Sequence, residues 1–232
     1  MADWFQFKDT RSTEMGVYVT TYPPIALPEE RVEFVTVPGR SGSLTVTEGD
    51  CVYDDITLSV ECMVHDLGTL DQISGWLRGR GDLVLGNRPD TYYKARVVNQ
   101  IELEKIVRGR PHRAFAVVFR CVPFRYQYPA SEAVEFTESG SMMNPGNVYA
   151  EPLITITGSG EIDLTIREST LHLEDVSGSI TIDTAARLAY NGSINQSFKL
   201  TGDWPVIPVG TSMVAWTGGA TKVSISPNWR NI

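Results

Sequence analysis

The chain is poor in the residues that acid–base and metal chemistry need. It has three histidines (His65, His112 and His172) and three cysteines (Cys51, Cys62 and Cys121) in 232 residues. No G-x-S-x-G elbow or H-E-x-x-H run accompanies them, so no activated nucleophile or zinc-bound water can be read. No Cys/His cluster has ligand spacing. The odd cysteine count, without any C-x-x-C pair, fits a reducing compartment better than a disulfide framework. Long apolar runs are missing too. The first twenty residues carry charge throughout, which argues against a secretory signal, and no stretch could span a bilayer as a helix. These absences predict a soluble protein that is not an enzyme, uses no cofactor or metal, and inserts in no membrane.

Other candidate motifs also have plain readings. Asp54-Asp55 and Glu174-Asp175 are adjacent carboxylates, and neighbours on a strand point to opposite faces. Gly79-Arg80-Gly81 and Gly158-Ser159-Gly160 are too short for phosphate fingerprints. Trp204 and Trp216 fit either a core or a sugar-stacking face. Arg108, Arg110 and Arg113, with Tyr92, Tyr93 and Phe115 nearby, form a candidate nucleic-acid patch. The acidic whole chain and the lack of a known binding motif argue against specific nucleic-acid recognition.

What is present is β-structure and segregated charge. Hydrophobic residues make up 42% of the chain, enough for two cores without staples. The net charge of −8 is unevenly spread. Residues 29–71 hold 10 acidic and 2 basic residues, while residues 78–125 hold 11 basic and 4 acidic. Opposed blocks of this kind neutralise each other within one domain or between neighbouring subunits.

The period-two pattern is clearest from Asp54 to Val64, where Ile56, Leu58, Val60, Cys62 and Val64 share one face. Val17–Tyr22 and Arg31–Val37 also read as strands. The breaker Pro23-Pro24-Ile25-Ala26-Leu27-Pro28 splits them, and a Pro38–Gly42 turn follows. Leu67–Arg78 reads as a helix, with Thr69 and Gln72 as a capping box and Gly79 as its stop. Strands are expected at 82–85, 92–106 and 113–124, the last apolar on both faces. A polar segment, 128–147, separates the halves. Beyond it, short strands at 153–157, 162–166, 171–173, 179–182, 188–190, 197–200, 212–216 and 222–225 predict a β-sandwich. The expected fold is mainly β in two domains, residues 1–130 with one α-helix and residues 131–232.

The ordered set of motifs resembles the distal tail protein family of long-tailed, non-contractile phages. The likeness runs through Val37-Pro38-Gly39-Arg40-Ser41-Gly42-Ser43-Leu44, the strand from Asp54, and the helix with Leu70, Ile73, Trp76 and Leu77. It continues through Gly81-Asp82-Leu83-Val84 and Tyr92-Tyr93-Lys94-Ala95-Arg96-Val97. In the second half it covers Asn144-Pro145-Gly146-Asn147, Glu151-Pro152-Leu153-Ile154-Thr155-Ile156 and the closing Val223-Ser224-Ile225-Ser226-Pro227-Asn228-Trp229-Arg230. The resemblance implies a structural virion protein of a siphovirus or prophage, placed at the tail tip after assembly in the bacterial cytoplasm. Its N-terminal belt domain would form a hexameric ring, and its C-terminal domain would be a galectin-like β-sandwich. Its partners would be the tail tube protein, the tail-tip fibre or tail-associated lysin protein, and a receptor-binding protein at the periphery. The galectin sugar site depends on a His-x-Asn-Pro-Arg run. Here Asn144-Pro145 leads to Gly146 and the His is missing, so a galectin-like fold would not imply galectin-like binding. The alternative function is a carbohydrate-binding sandwich that recognises host envelope glycans.

A ring needs two different complementary patches on each subunit. The candidate interface residues are therefore Glu29, Glu30, Asp54 and Asp55 in the acidic block and Arg108, Arg110 and Arg113 in the basic block. Trp76, Arg78 and Arg80 form a second candidate around the helix, since an aromatic amid arginines suits an interface core.

Overall fold

A computed structural model describes residues 3–49, 51–65, 67–102, 104–105 and 113–232. The chain is mainly β. It divides into two compact units, 1–125 with residue 232, and 126–231.

In the first unit the strands are β1 (Phe5–Phe7), β2 (Thr10–Arg11), β3 (Val17–Thr21), β4 (Val32–Thr36), β5 (Ser43–Thr47) and β6 (Ile56–Val64). Helix α1 (Leu70–Trp76) follows, then β7 (Arg80–Leu85), β8 (Arg88–Val97), β9 (Glu104–Lys105) and β10 (Arg113–Gln127). The sheet order is β2-β1-β7-β8-β10-β6-β3, with β9 on β10. Strand β6 buries the face its alternation predicts, and Phe115, Val117, Phe119 and Cys121 of β10 continue that core beside it. The other face of β10 is only half-covered, because Ala114, Ala116 and Val118 are partly exposed. Where β8 ends, the Asn99 side chain takes over its hydrogen bonding. Its amide donates to the Ala116 carbonyl at 2.8 Å and its oxygen accepts from the Val118 N–H at 2.8 Å.

Helix α1 is shorter than expected and starts differently. A 3₁₀ turn at Leu67–Thr69 leads in, and Thr69 has φ −97° and ψ 6°. That is not the extended backbone an N-cap needs, so Thr69 makes no side-chain capping bond and the capping box is absent. Apolar packing holds the helix instead. Ile73, Trp76 and Leu77 enter the core with Phe5, Phe7 and Phe119. Trp76 stacks on Phe5 at 5.3 Å between ring centroids, and its indole N–H donates to the Phe7 carbonyl at 2.9 Å.

The second unit contains β11 (Val134–Phe136), β12 (Gly140–Asn144), β13 (Leu153–Ile166), β14 (Ser169–Asp183), β15 (Leu188–Asn191), β16 (Ile194–Asn195), β17 (Leu200–Gly202), β18 (Gly210–Ser226) and β19 (Arg230–Asn231). Its curled sheet runs β11-β18-β13-β14-β15-β16, with β12 on β18 and β17 on β14. This corrects two expectations. The polar segment is not only a spacer, because Phe136 and Met142 are buried and anchor β11 and β12 on β18. The expected short strands fuse in pairs, so 153–157 joins 162–166, 171–173 joins 179–182, and 212–216 joins 222–225.

The glycines are bends inside long strands, with register shifts next to Gly158 and Gly160. At Gly158 and Gly219 close approach of the paired strand requires glycine. A Cβ on Gly158 would lie 2.4 Å from the Gly219 carbonyl oxygen, and one on Gly219 would lie 1.8 Å from that of Ser159. Gly218 adds a φ of +85°, which L-residues rarely adopt.

Candidate assembly surface

Strands β4 and β5 form a two-stranded sheet of their own. Their Val- and Thr-rich sequences favour extended backbone. The Pro38–Gly42 turn closes them, with Gly39 at φ +83° and Gly42 at φ +80°. The base of the ribbon is fixed to the segment that leads into β6. Arg31 N–H donates to the Val52 carbonyl and Asp54 N–H to the Glu29 carbonyl, both at 2.9 Å. The Arg31 guanidinium reaches Asp54 at 2.9 Å and Glu48 at 3.4 Å.

Beyond that base the ribbon is bare. Only Val32 of its ten strand residues is even half-buried. Register places Glu33 opposite Val46 and Val35 opposite Leu44, so these four share a face with Val37. Phe34 on the other face is 67% exposed, and Ile25 and Leu27 before the ribbon are 64% and 73% exposed. A lone two-stranded ribbon is marginal in water, and exposed apolar side chains on both of its faces make it the candidate interaction surface of the described residues.

The sequence-derived site residues fall into separate places. Glu29 and Glu30 are exposed at the base of the ribbon, where Asp54 holds Arg31. Asp55 pairs with Arg120 at 2.7 Å, one contact between the acidic and basic blocks within a single subunit. Arg78 and Arg80 are exposed. Arg113 is half-buried at the start of β10, and Arg108 and Arg110 lie outside the described residues. Trp76 does not join an exposed patch with the arginines. It is buried because α1 lies against the sheet and its indole fills the space beside Phe5. Tyr93 and Phe115 are buried as well, so they offer no stacking platform to nucleic acid. The ribbon itself was missed as a surface. Its signal was apolar residues on both faces of a short hairpin bracketed by Pro and Gly.

The other candidate chemistry resolves into structural roles. Asn144 is buried, and its amide donates to the Val148 and Ile207 carbonyls at 3.0 Å each. Its oxygen accepts from Gly146 N–H at 2.8 Å. A Cβ on Gly146 would lie 2.3 Å from the Arg230 carbonyl oxygen, so the Asn-Pro-Gly-Asn turn packs directly under the closing Pro-Asn-Trp-Arg segment. Arg230 is buried, with its guanidinium on the Tyr149 carbonyl at 2.8 Å and Glu151 at 2.6 Å. Trp204 and Trp216 are half-buried against the core, and the Trp216 indole donates to the Ala220 carbonyl at 3.2 Å.

Cys62 and Cys121 have thiol pKa values pushed up to about 12, mainly by burial, which leaves them unreactive. His172 is hydrogen-bonded to Asp163, whose other oxygen accepts from Thr217 at 3.2 Å. A catalytic relay would need a hydroxyl on the free imidazole nitrogen. That nitrogen faces Glu174 at 3.9 Å instead. Among the described residues no cluster of His, Cys, Asp and Glu could hold a metal, and no helix is long and apolar enough to cross a membrane.

The architecture is that of phage tail hub and baseplate proteins. A crystal structure of the SPP1 Dit protein (gp 19.1), described as a paradigm of the hub adsorption apparatus in phages infecting Gram-positive bacteria, matches 97% of this chain and 99% of its own. That match has a TM-score of 0.75 at 14% identity. The phage P2 baseplate in its activated conformation with Ca or Sr matches 97% of this chain and 98% of its own, with TM-scores of 0.52 and 0.54 at 7% identity. No protein-family model and no curated protein sequence matches the chain. The likeness expected from the ordered motifs is therefore present in the fold, across nearly the whole chain.

Proposed function

We propose that this chain is the repeating subunit of a ring-shaped structural hub at the distal end of a phage tail. The ring would connect the tail tube to the tail-tip and host-adsorption apparatus. The observation that carries this reading is the bare apolar ribbon on a subunit whose fold matches a hub protein end to end. A ribbon with both faces uncovered gains stability by docking on another chain. The first unit would be the ring-forming belt and the second a peripheral galectin-like sandwich. The sugar-binding alternative loses its best residue, since Asn144 is committed to closing a loop.

Native mass spectrometry tests the reading. The expected species is six copies of the 25.7 kDa chain, reduced to monomer when residues 32–47 are replaced by a short Gly-Ser turn. A wild-type chain that stays monomeric at every concentration would overturn the proposal, and its retention on a glycan array would favour the binding module instead.

A further inference from the structure

The outer face of the first unit's sheet carries uncompensated positive charge. Arg80 on β7 stands directly opposite Arg96 on β8. Facing residues of an antiparallel pair hold their Cβ atoms about 5 Å apart, and like charges so placed are destabilising. The next pair on this face is Asp82 opposite Lys94, so that carboxylate already faces a cation. Arg120 is engaged by Asp55. Among the described residues no carboxylate pairs with Arg80 or Arg96. Both arginines are exposed, and with Lys94, Arg120, Val122 and the already engaged carboxylates Asp55 and Asp82 they line an open groove of about 680 Å³.

The same chain carries a surface of complementary chemistry. Glu33 sits at the base of the aliphatic face of the ribbon, level with Val46 and next to Val35 and Leu44. It is exposed and has no cation paired with it among the described residues. One face thus offers a carboxylate followed by branched aliphatic side chains. The groove offers two arginines on facing positions of neighbouring strands, Val122, and the aliphatic stems of Arg96 and Lys94, which can cover apolar surface while their heads stay wet.

We infer that the β4–β5 ribbon of a second copy lies in this groove, with Glu33 bridging Arg80 and Arg96 and its valine and leucine face against Val122. Ribbon and groove are different patches, so the contact is head-to-tail and propagates around a closed ring. The inference rests on the ring reading and adds the identity of the two contacting faces.

The test combines charge reversal with crosslinking on the full chain. A benzophenone amino acid replacing Val46 is expected to crosslink between copies, with the bond mapped to peptides of β7, β8 or β10. Glu33→Arg alone, and Arg80→Glu with Arg96→Glu, should each weaken self-association about tenfold or more by sedimentation. All three changes in one chain should restore it. Arg80→Glu alone removes the like-charge pair, so the monomer's melting temperature should rise while association weakens. A merely structural role for Arg80 does not move the two readouts in opposite directions. An oligomer that survives the reversals, with its crosslink mapped elsewhere, overturns the docking and leaves the ring standing. A wild-type chain that stays monomeric at all concentrations overturns both. Capture of a polyglutamate peptide by a chain whose copies never crosslink overturns the docking in favour of a different acidic partner.

Discussion

A single methyl group at position 219 should destabilise the second unit. Gly219 lies on β18 where that strand crosses β13 at its bend, and a Cβ there would sit 1.8 Å from the Ser159 carbonyl oxygen and 3.0 Å from its carbon. Unstrained contacts begin near 3.5 Å, so the strands must part by more than about 1 Å. The obstructing atom is backbone, held by ladder hydrogen bonds, and cannot swing aside as a side chain would. Overpacking of a core costs about 1–3 kcal/mol. Gly219→Ala belongs at the upper end, about 3 kcal/mol.

Two neighbours separate the steric cause from the backbone one. Gly160 has φ +80° and open space around its Cβ position, so Gly160→Ala carries strain alone, about 1 kcal/mol. Gly218 combines φ +85° with an approach of 2.1 Å to the Glu161 carbonyl oxygen, so Gly218→Ala should be the worst of the three. For a unit of roughly a hundred residues, about 3 kcal/mol lowers the melting temperature by about 10 °C or more. Thermal unfolding gives the size of the effect, and hydrogen exchange of β13 and β18 peptides gives its location. A Gly219→Ala variant that melts with the wild type, while Gly160→Ala falls, would refute the account of the bend.

Three further outcomes follow from particular contacts. Trp76→Phe should keep the contact with Phe5 but leave the Phe7 carbonyl without its donor, costing about 2 kcal/mol. It should leave sedimentation unchanged, because the indole is core and not interface. Asn144→Ala removes three hydrogen bonds from a buried turn, and urea unfolding should show a loss of about 3 kcal/mol. The Asp163–His172 contact should make stability depend on pH. The hydrogen bond from His172 holds Asp163 below its ordinary 3.8, and the bond to Asp163 raises His172 above 6.5. The His172 contribution is full below pH 6.5 and fades as pH rises through its raised value, while that of Asp163 is present above pH 3.8 and fades as pH falls. Melting temperature measured against pH should lose this dependence in Asp163→Asn. An unchanged profile would show that the contact has no energetic weight.

Local pattern was enough for β6, whose alternation from Ile56 to Val64 needs no partner to be read, and for the location of α1. The ordered run of turns and strands was enough for the fold as a whole. The fused strand β13 was also within reach. Its buried residues Ile154, Ile156, Ile162, Leu164 and Ile166 keep one parity across Gly158 and Gly160, yet glycine was read as a break. In β14 and β18 the parity changes along the strand, and only pairing with β13 shows that each continues.

The chain's own order of residues therefore determined that it is mainly β and that its charge is segregated. Tertiary structure decided what covers each face. Trp76 is core because Phe5 and Phe7, some seventy positions away along the chain, return beneath it. Phe34, Leu44 and Val46 have the pattern of a buried strand, yet no other element of the described chain comes over them. Alternation specifies which side chains share a face. Burial depends on a second surface arriving from elsewhere, and within the described chain none arrives over this ribbon.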